Sequence, residues 1–419
     1  MAGAPRRVLA TFGNGDCGRL GHSLTELGCE EVPRLVRALL GTPPATAVAA
    51  GGAHTAALDG SGTVYTWGLN DKGQLGHDRE DMEVGLPAEV PLPERCVALA
   101  AGYFHTLCLG ESGSVWAFGC NGKGQLGLGK DVVLVREPRM VKALQGTKVV
   151  AVAAGMEHSL ALTDSGEVYS WGHAEHGRLG HGRAGAVPRL FGTSIEFKPR
   201  LIRAFEALRI AQISAGQMHS AAVSSAGDLF MWGYGKFHQL GFGNDEDVEI
   251  PTPLPPLKGS TAGVACGFLH TLALEYGGGV QAWGANQNGV LGLGHEKEQQ
   301  PRRPTRVRGL SDVRQISAGW KHNAAVTDSG LLYTWGWGGS QGSAYSFEGK
   351  TGTGGQLGHG NEFDYWSPHH VEWLALGETD MAKQHHEDGS LAWKVVQAAC
   401  GMNHTAAIIE LGTEVSIPS

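Results

Sequence analysis

Histidine is the residue whose type and spacing in this sequence most directly suggest chemistry. It recurs in seven repeat-spaced copies of a Gly-x-x-His motif, and an imidazole can bind a metal ion or relay a proton. Seven equivalent copies argue instead for a structural role, because a functional site needs a unique arrangement. We expect each imidazole to hydrogen-bond neighbouring backbone within its own structural unit. The seven histidines are His54, His105, His158, His219, His270, His322 and His404.

A second group of histidines, His173, His176 and His181, lies near one predicted turn. A tetrahedral zinc site needs four ligands, and no Cys or acidic residue has the spacing to complete one here. The sequence therefore predicts no metal site and no cofactor.

Three short patterns match catalytic motifs in their letters alone. Gly13-x-Gly15-x-x-Gly18 follows a predicted strand but does not open a helix, so it lacks the context of a dinucleotide-binding turn. The Gly-Lys-Thr at 349–351 lacks the earlier glycine of a phosphate loop, and the Gly-x-Ser-x-Gly at 338–342 lies in an inserted loop. We predict no catalytic residues, and any activity would be that of a nucleotide exchange factor.

The Gly-x-x-His motifs also mark an internal repeat. The first six begin at intervals of 51 to 61 residues, and the last interval is 82 residues. Each of the first six precedes a strand-like run that ends in Trp-Gly or Phe-Gly, and several of these runs lead into a Gly-Gln-Leu-Gly-like turn. A period of about 50 residues is typical of propellers and solenoids, and four short strands fit within it. The pattern predicts an all-β fold.

The two ends of the chain complement each other. The last motif, at 401–404, has no Trp-Gly strand after it, whereas 8–13 and the turn at 18–21 supply these missing parts at the N-terminus. We therefore predict one domain over 1–419, with the repeats at about 8–410. It is a seven-bladed β-propeller of four-stranded antiparallel blades, in which N-terminal strands complete the last blade.

Composition restricts the partners and the compartment. The net charge is -8, which disfavours direct nucleic-acid binding. Seven cysteines without a Cys-x-x-Cys pair indicate reduced thiols. No apolar run approaches the ~18 residues of a membrane helix. We expect a protein of the cytoplasm or the nucleus with no membrane association, whose oligomeric state the sequence leaves open.

The repeat resembles that of the regulator of chromosome condensation family. The resemblance rests on Ala-Gly-Tyr-Phe-His-Thr at 101–106, Val-Trp-Ala-Phe-Gly at 115–119 and Gly-Gln-Leu-Gly-Leu-Gly at 124–129. It covers about 8–410 and implies a seven-bladed propeller. The family includes an exchange factor for the small GTPase Ran and a plant UV-B photoreceptor, so the resemblance is less specific for function than for fold.

The resemblance implies particular residues for each of these two functions. For exchange it implies acidic residues in the Gly-x-x-His loops and a β-wedge inserted in the third blade. Glu157 matches the acidic feature, but no insertion follows Trp171-Gly172 at the wedge position. For light sensing it implies several Trp residues directly after the motif glycine, and only Trp320 matches.

Three segments depart from the repeat, at 183–198, 337–354 and 366–393. Insertions usually form recognition loops, and aromatic residues are favoured at binding hot spots. The alternative is that these rings pack back onto the propeller. The sequence predicts a non-enzymatic protein-interaction scaffold, with guanine-nucleotide exchange on a small GTPase as the alternative and UV-B sensing as the third hypothesis. The candidate partner-binding residues are Glu157, Trp320, Trp337, Tyr345, Phe347, Trp366 and Trp373.

Overall fold

Short runs of apolar and small residues, separated by glycine turns, form antiparallel strands throughout the chain. The computed structural model describes residues 6–25, 28–182, 189–190, 193–255, 257, 261–294, 300–339, 354–377, 379–386 and 388–418. These residues form seven sheets, each with a core of four strands, which follow one another around a ring. The predicted seven-bladed propeller is therefore confirmed.

The first strands of the chain are β1 (Arg6–Gly13) and β2 (Glu30–Leu35). Blades 1 and 2 consist of β3 (Ala45–Ala50), β4 (His54–Asp59), β5 (Val64–Leu69) and β6 (Glu83–Glu89), then β7 (Cys96–Ala101), β8 (His105–Gly110), β9 (Val115–Cys120) and β10 (Leu134–Met140). Blade 3 consists of β11 (Val149–Ala154), β12 (His158–Thr163), β13 (Val168–His173), β14 (Arg189–Leu190) and β15 (Thr193–Leu201).

Blades 4 and 5 consist of β16 (Ile210–Ala215), β17 (His219–Ser224), β18 (Leu229–Gly233) and β19 (Val248–Pro253), then β20 (Thr261–Cys266), β21 (His270–Glu275), β22 (Val280–Gly284) and β23 (Thr305–Arg306). Blade 6 consists of β24 (Val313–Ala318), β25 (His322–Thr327), β26 (Leu332–Gly336) and β27 (Tyr365–His370). The last strands are β28 (Trp373–Ala375), β29 (Met381–Lys383), β30 (Trp393–Cys400) and β31 (His404–Leu411). The described short 3₁₀ helices are Asp16–Gly18, Arg37–Leu39, Lys142–Leu144, Glu175–Gly177, Arg203–Phe205 and Gln287–Gly289.

The hydrophobic core lies between the blades. The second strand of each of blades 1 to 6 is buried along its whole length, because both faces of its sheet contact a neighbouring blade. The third strands contribute large rings to the same layers: Trp67, Trp171, Trp232, Trp283 and Trp335 are fully buried.

The two ends of the chain close the ring in blade 7. Strand β1 pairs with β31 along its entire length, from Arg6 opposite Leu411 to Gly13 opposite His404. The sheet order is β30, β31, β1, β2, and β28 and β29 extend it beyond β2. The predicted closure by N-terminal strands is confirmed, and it leaves no open edge between the first and last repeats.

The three segments that depart from the repeat form different structures where they are described. Within 183–198, the described part forms β14 and the start of β15, a hairpin on the outer edge of blade 3. The segment 366–393 begins inside β27, a regular blade strand, and continues as the β28–β29 hairpin. Of 337–354, only the first three residues and residue 354 are described.

All seven cysteines are free thiols, and four of them are buried. No helix in the described ranges is long and apolar enough to cross a membrane.

Candidate functional site

Each Gly-x-x-His motif folds into a tight loop at the inner end of its blade. In the first motif the Gly51 amide donates to the His54 carbonyl over 2.9 Å, and the imidazole turns back against the glycine. A Cβ at Gly51 would lie 2.4 Å from Cε1 of His54, so the ring and a side chain cannot share this space. The motif needs glycine because of this close approach.

The histidines connect neighbouring blades. In every motif Nε2 lies 2.7–3.0 Å from a Ser or Thr hydroxyl, or an Asn carbonyl, in the next blade. The expected partner of these rings, backbone of the same blade, was wrong: each Nε2 atom reaches a side chain of the next blade. The pairs are His54–Thr106, His105–Ser159, His158–Ser220, His219–Thr271, His270–Asn323, His322–Thr405 and His404–Thr55.

The hydrogen-bond pattern defines the protonation of these rings. The Thr106 hydroxyl donates to the Gln74 carbonyl over 2.8 Å, so its oxygen must accept a proton from Nε2 of His54. The Nδ1 atom of His54 is buried and has no partner among the described residues. Burial therefore favours the neutral ring and lowers the pKa of His54 to about 4 and that of His105 to about 3.

The buried tryptophans donate hydrogen bonds to the same turn carbonyls that accept from the Ser and Thr hydroxyls. Trp67 Nε1 donates to the Arg19 carbonyl over 2.9 Å, and the Thr55 hydroxyl donates to it over 2.8 Å. Blade 2 has Phe118 at the tryptophan position, so Gln74 receives only the Thr106 hydroxyl among the described side chains.

Backbone hydrogen bonds join the loops into a ring around the propeller axis. In six motifs the amide after the glycine donates to the glycine carbonyl of the next motif over 3.1–3.3 Å. The last of these bonds, from Met402 to Gly51, crosses the point of ring closure. The centre of the propeller is therefore held by side-chain bonds at all seven junctions and by these backbone bonds at six of them.

We define the central loop face as the two residues between Gly and His in each motif. Apart from buried Gly52, all of these residues are partly exposed. Glu157 in blade 3 carries the single negative charge of this face, and Lys321 in blade 6 carries its single positive charge. The remainder is mainly apolar. Its large apolar residues are Tyr103, Phe104, Met156, Met218, Phe268, Leu269, Trp320 and Met402.

The central loop face surrounds a shallow depression of about 110 Å³. Sites for small organic ligands usually enclose ~300–1,000 Å³. The geometry therefore favours contact with the surface of another macromolecule over enclosure of a small substrate.

An aromatic cluster with a cation occupies the blade 6 side of this face. The ring of Trp320 packs edge-on against Phe268 at 5.4 Å and against Trp337 at 6.2 Å. The Lys321 ammonium lies 4.8 Å from the Trp320 ring centre and 5.4 Å from that of Trp337. Burial lowers the pKa of Lys321. Trp337 itself is only 2% exposed, so it supports Trp320 from below.

A charged cluster surrounds Glu157 on the blade 3 side. Its carboxylate lies 2.8 Å from Nδ1 of His173, and Nε2 of His173 lies 3.2 Å from the Glu175 carboxylate. The hydrogen bond from His173 lowers the pKa of Glu157. Buried Arg178 adds a positive charge nearby. Sequence reasoning missed these acidic neighbours of His173.

A repeat-level signal could have found the contact. In the β12–β13 register His158 lies opposite Gly172, so the residue before the motif histidine adjoins the residue after Trp-Gly. In blade 3 these two positions hold Glu157 and His173, so the pairing of an acid with a histidine can be read from the aligned repeats.

Two of the remaining predicted residues, Trp366 and Trp373, do not join the central loop face. Trp366 is partly buried in β27, where its backbone packs so closely on Gly289 that a Cβ at Gly289 would lie 2.7 Å from the Trp366 Cα. Trp373 is 42% exposed on β28, with the Lys383 ammonium 5.8 Å from its ring centre. Tyr345 and Phe347 lie outside the described residues. Within the described ranges, no three His, Cys, Asp or Glu side chains form a group that could hold a metal ion.

Known proteins share both this sequence pattern and this fold. The chain is 34% identical to the ultraviolet-B receptor UVR8 of Arabidopsis thaliana, over 87% of this chain and 74% of UVR8. It is 31% identical to the regulator of chromosome condensation of Xenopus laevis, over 95% of this chain and 89% of that protein. The crystal structure of Prp20p from Saccharomyces cerevisiae has the same fold, with a TM-score of 0.81 at 24% identity, over 99% of this chain and 93% of that chain.

The family model described as RCC1-like domain matches residues 8–413. This range includes every described blade strand except the first two residues of β1. The chain therefore belongs to the RCC1-like domain family.

Proposed function

We propose that this protein is a non-enzymatic interaction scaffold whose central loop face binds another protein. The observation that carries the proposal is the ring of partly exposed aromatic and apolar side chains on a rigid backbone ring. Aromatic residues at the centre of a surface are typical of binding hot spots, and a fixed framework lowers the entropic cost of binding. The shallow depression agrees with a protein partner.

The partner would meet two unlike sides of this face. Trp320, supported by Phe268 and Trp337, offers a large apolar contact with Lys321 at its edge. Glu157 offers a carboxylate on the other side, held by His173. A protein with an apolar centre flanked by an acidic and a basic group would match both sides.

Guanine-nucleotide exchange on a small GTPase is the second candidate. Glu157 favours it, since the hydrogen bond to His173 keeps this carboxylate ionised and oriented in the third loop. Prp20p has been studied for its binding to Gsp1p, a small GTPase, and to histones. An exchange factor stabilises the nucleotide-free GTPase, so it needs a complementary face rather than catalytic side chains. We do not extend the proposal to light sensing, because Trp320 is the single Trp at the position after the motif glycine.

The test is affinity capture from cell extract in EDTA, followed by elution with excess GTP and Mg²⁺. We expect Trp320→Ala to reduce the captured partner at least tenfold, because it removes the largest ring of the central loop face. Trp373→Ala is the matched control, since it removes an exposed indole on the outer edge of blade 7. Equal capture by both variants would place the partner elsewhere.

The elution step distinguishes the two candidate functions. Release of a small GTPase by GTP and Mg²⁺ would establish exchange as the leading function. Glu157→Ala should then slow the release of a fluorescent GDP analogue from that GTPase by about tenfold, which is ~1.4 kcal/mol of transition-state stabilisation. Partners that remain bound in GTP and Mg²⁺ would identify a scaffold. Localisation to the cytoplasm or the nucleus remains part of the proposal.

A further inference from the structure

A second surface, away from the central loop face, has the features of a peptide-binding site. It is a groove of about 730 Å³ on the rim between blades 2 and 3. Strands β9 and β10 and the loop between them line one side, and Lys198 of β15 lines the other. Its volume lies within the ~300–1,000 Å³ of typical ligand sites and greatly exceeds that of the central depression.

The floor of this groove is apolar and partly exposed. Trp116 and Met140 lie opposite each other in the β9–β10 register, and Leu128 and Val132 extend the same surface. Blades 1, 3 and 6 have Tyr at the position of Trp116. The Trp116 indole is fixed by a 2.8 Å hydrogen bond from Nε1 to Glu94. A fixed, partly exposed indole is a typical anchor point for an apolar side chain of a partner.

The rim of the groove is positively charged. Arg139, Lys142 and Lys198 are exposed, and none of them forms an ion pair with another residue in the described part of the chain. No Asp or Glu is among the described residues that line the groove. Three unpaired cations in a protein of net charge -8 make this a local region of opposite sign.

The combination of floor and rim selects one kind of occupant. Unpaired cations beside an apolar surface favour a partner with carboxylates that flank an apolar side chain. Nucleic acid is a poorer match, because its binding depends on a more extensive basic surface than three cations in a net acidic protein.

We propose that the groove between blades 2 and 3 binds an acidic peptide segment, with an apolar side chain on Trp116 and Met140 and carboxylates on Arg139, Lys142 and Lys198. The site lies on the rim, so it is independent of the proposed function of the central loop face.

The experiment is a selection from a phage-displayed library of random dodecapeptides on the full chain. Peptides are depleted on the triple variant R139E/K142E/K198E, and the enriched sequences are then measured by fluorescence anisotropy. The matched control is R302E/R308E/K394E, which reverses three exposed cations outside the groove and changes the net charge equally. Circular dichroism confirms that each variant retains the fold.

We expect the enriched peptides to combine Asp or Glu with at least one large apolar residue. Their affinity should fall about tenfold or more in the groove variant and less than about twofold in the control. Trp116→Tyr, the residue that three other blades use, should weaken binding by about fivefold through loss of apolar contact area. Failure to enrich acidic peptides, enrichment of basic or purely apolar ones, or equal losses in both triple variants would each overturn the proposal. So would a single-stranded oligonucleotide that binds the groove more tightly than the selected peptides.

Discussion

At the scale of single residues, the hydrogen bond between blades is the unit that repeats most faithfully. A histidine donates to a hydroxyl of the next blade, and that hydroxyl donates to a turn carbonyl. Asn323 performs the same two tasks with its amide, which accepts from His270 and donates to the Val290 carbonyl. The geometry therefore specifies one acceptor and one donor at this position, and the chemical group can vary.

Substitution of two threonines at this position would leave different numbers of buried polar groups without a hydrogen-bond partner. Thr271→Val leaves the His219 donor unpaired, but the Gln239 carbonyl keeps Trp283 Nε1 as a donor. Thr106→Val leaves both the His54 donor and the Gln74 carbonyl unpaired, because Phe118 supplies no hydrogen bond. An unpaired buried polar group costs about 1–3 kcal/mol. We expect Thr106→Val to lower the free energy of unfolding by about 1 kcal/mol more than Thr271→Val does.

Urea unfolding followed by circular dichroism measures this difference. Both threonines are fully buried and both lose the same hydroxyl, so each variant is the control for the other. Equal losses of stability would show that the hydrogen bond from the Trp283 indole to the Gln239 carbonyl does not compensate for the loss of the Thr271 hydroxyl.

At the scale of elements, the repeat pattern predicted what lies within a blade better than what lies between blades. The repeat period predicted four short strands per blade, and the missing Trp-Gly strand after the last motif predicted that N-terminal strands complete blade 7. The histidine partners were mispredicted, because they depend on the rotation from one blade to the next. That rotation comes from packing of whole sheets, and no short-range pattern encodes it.

The candidate site was predicted only in part for the same reason. Glu157 and Trp320 could be placed on the loops from the motif alone, and the structure has them there. The burial of Trp337 depends on its packing beneath Trp320, a contact between positions in different strands and loops. The groove at Trp116 combines residues of two blades, so neither repeat by itself indicates it.

The β28–β29 hairpin is an added element, and one buried polar side chain helps to attach it to the propeller. Gln384 is fully buried and donates to the carbonyls of Gly330 and Trp393, while its own carbonyl contacts His370. We expect Gln384→Ala to release the hairpin, because several buried polar groups lose their partner. Hydrogen exchange should then accelerate at least tenfold in β28 and β29 and remain unchanged in blades 2 to 5.

Trp373→Ala is the control for this variant. The Trp373 ring lies on the same hairpin but is 42% exposed, so its loss should leave hydrogen exchange nearly unchanged. If Gln384→Ala accelerated exchange throughout the propeller, the hairpin would be part of the cooperative unit instead of an attachment to it.

At the scale of the whole molecule, the closed ring makes protonation of the histidines a collective event. Each motif histidine is fully buried, and burial is the largest cause that lowers its pKa. The pKa falls to about 4 for His270 and to about 3 for His219 and His322. In the unfolded chain these rings return to a pKa of about 6.5. Folding therefore requires neutral rings at every junction between blades.

The sign of the pH dependence follows from this difference. Because the folded pKa values are lowered, the stability from neutral rings is fully present above pH ~6.5 and is lost as the pH falls towards 3–4. One histidine loses about 1.4 kcal/mol at pH ~5.5, so seven lose about 10 kcal/mol together. A domain has only about 5–15 kcal/mol in total. We expect cooperative unfolding between about pH 6 and pH 4.5, with uptake of at least seven protons.

Substitution of one histidine tests whether the ring acts as described. His219→Gln keeps an N–H that can donate to Thr271, but it removes one site that binds a proton on unfolding. Proton uptake on unfolding, measured by titration of folded and urea-unfolded protein at pH ~6.5 where the propeller is still folded, should fall by about half a proton relative to the parent. At pH 8, where imidazoles are neutral in both states, the two proteins should not differ. Unchanged uptake at pH ~6.5 would mean that His219 binds protons equally well in the folded and unfolded protein, and the ring of neutral donors would then be interrupted between blades 4 and 5.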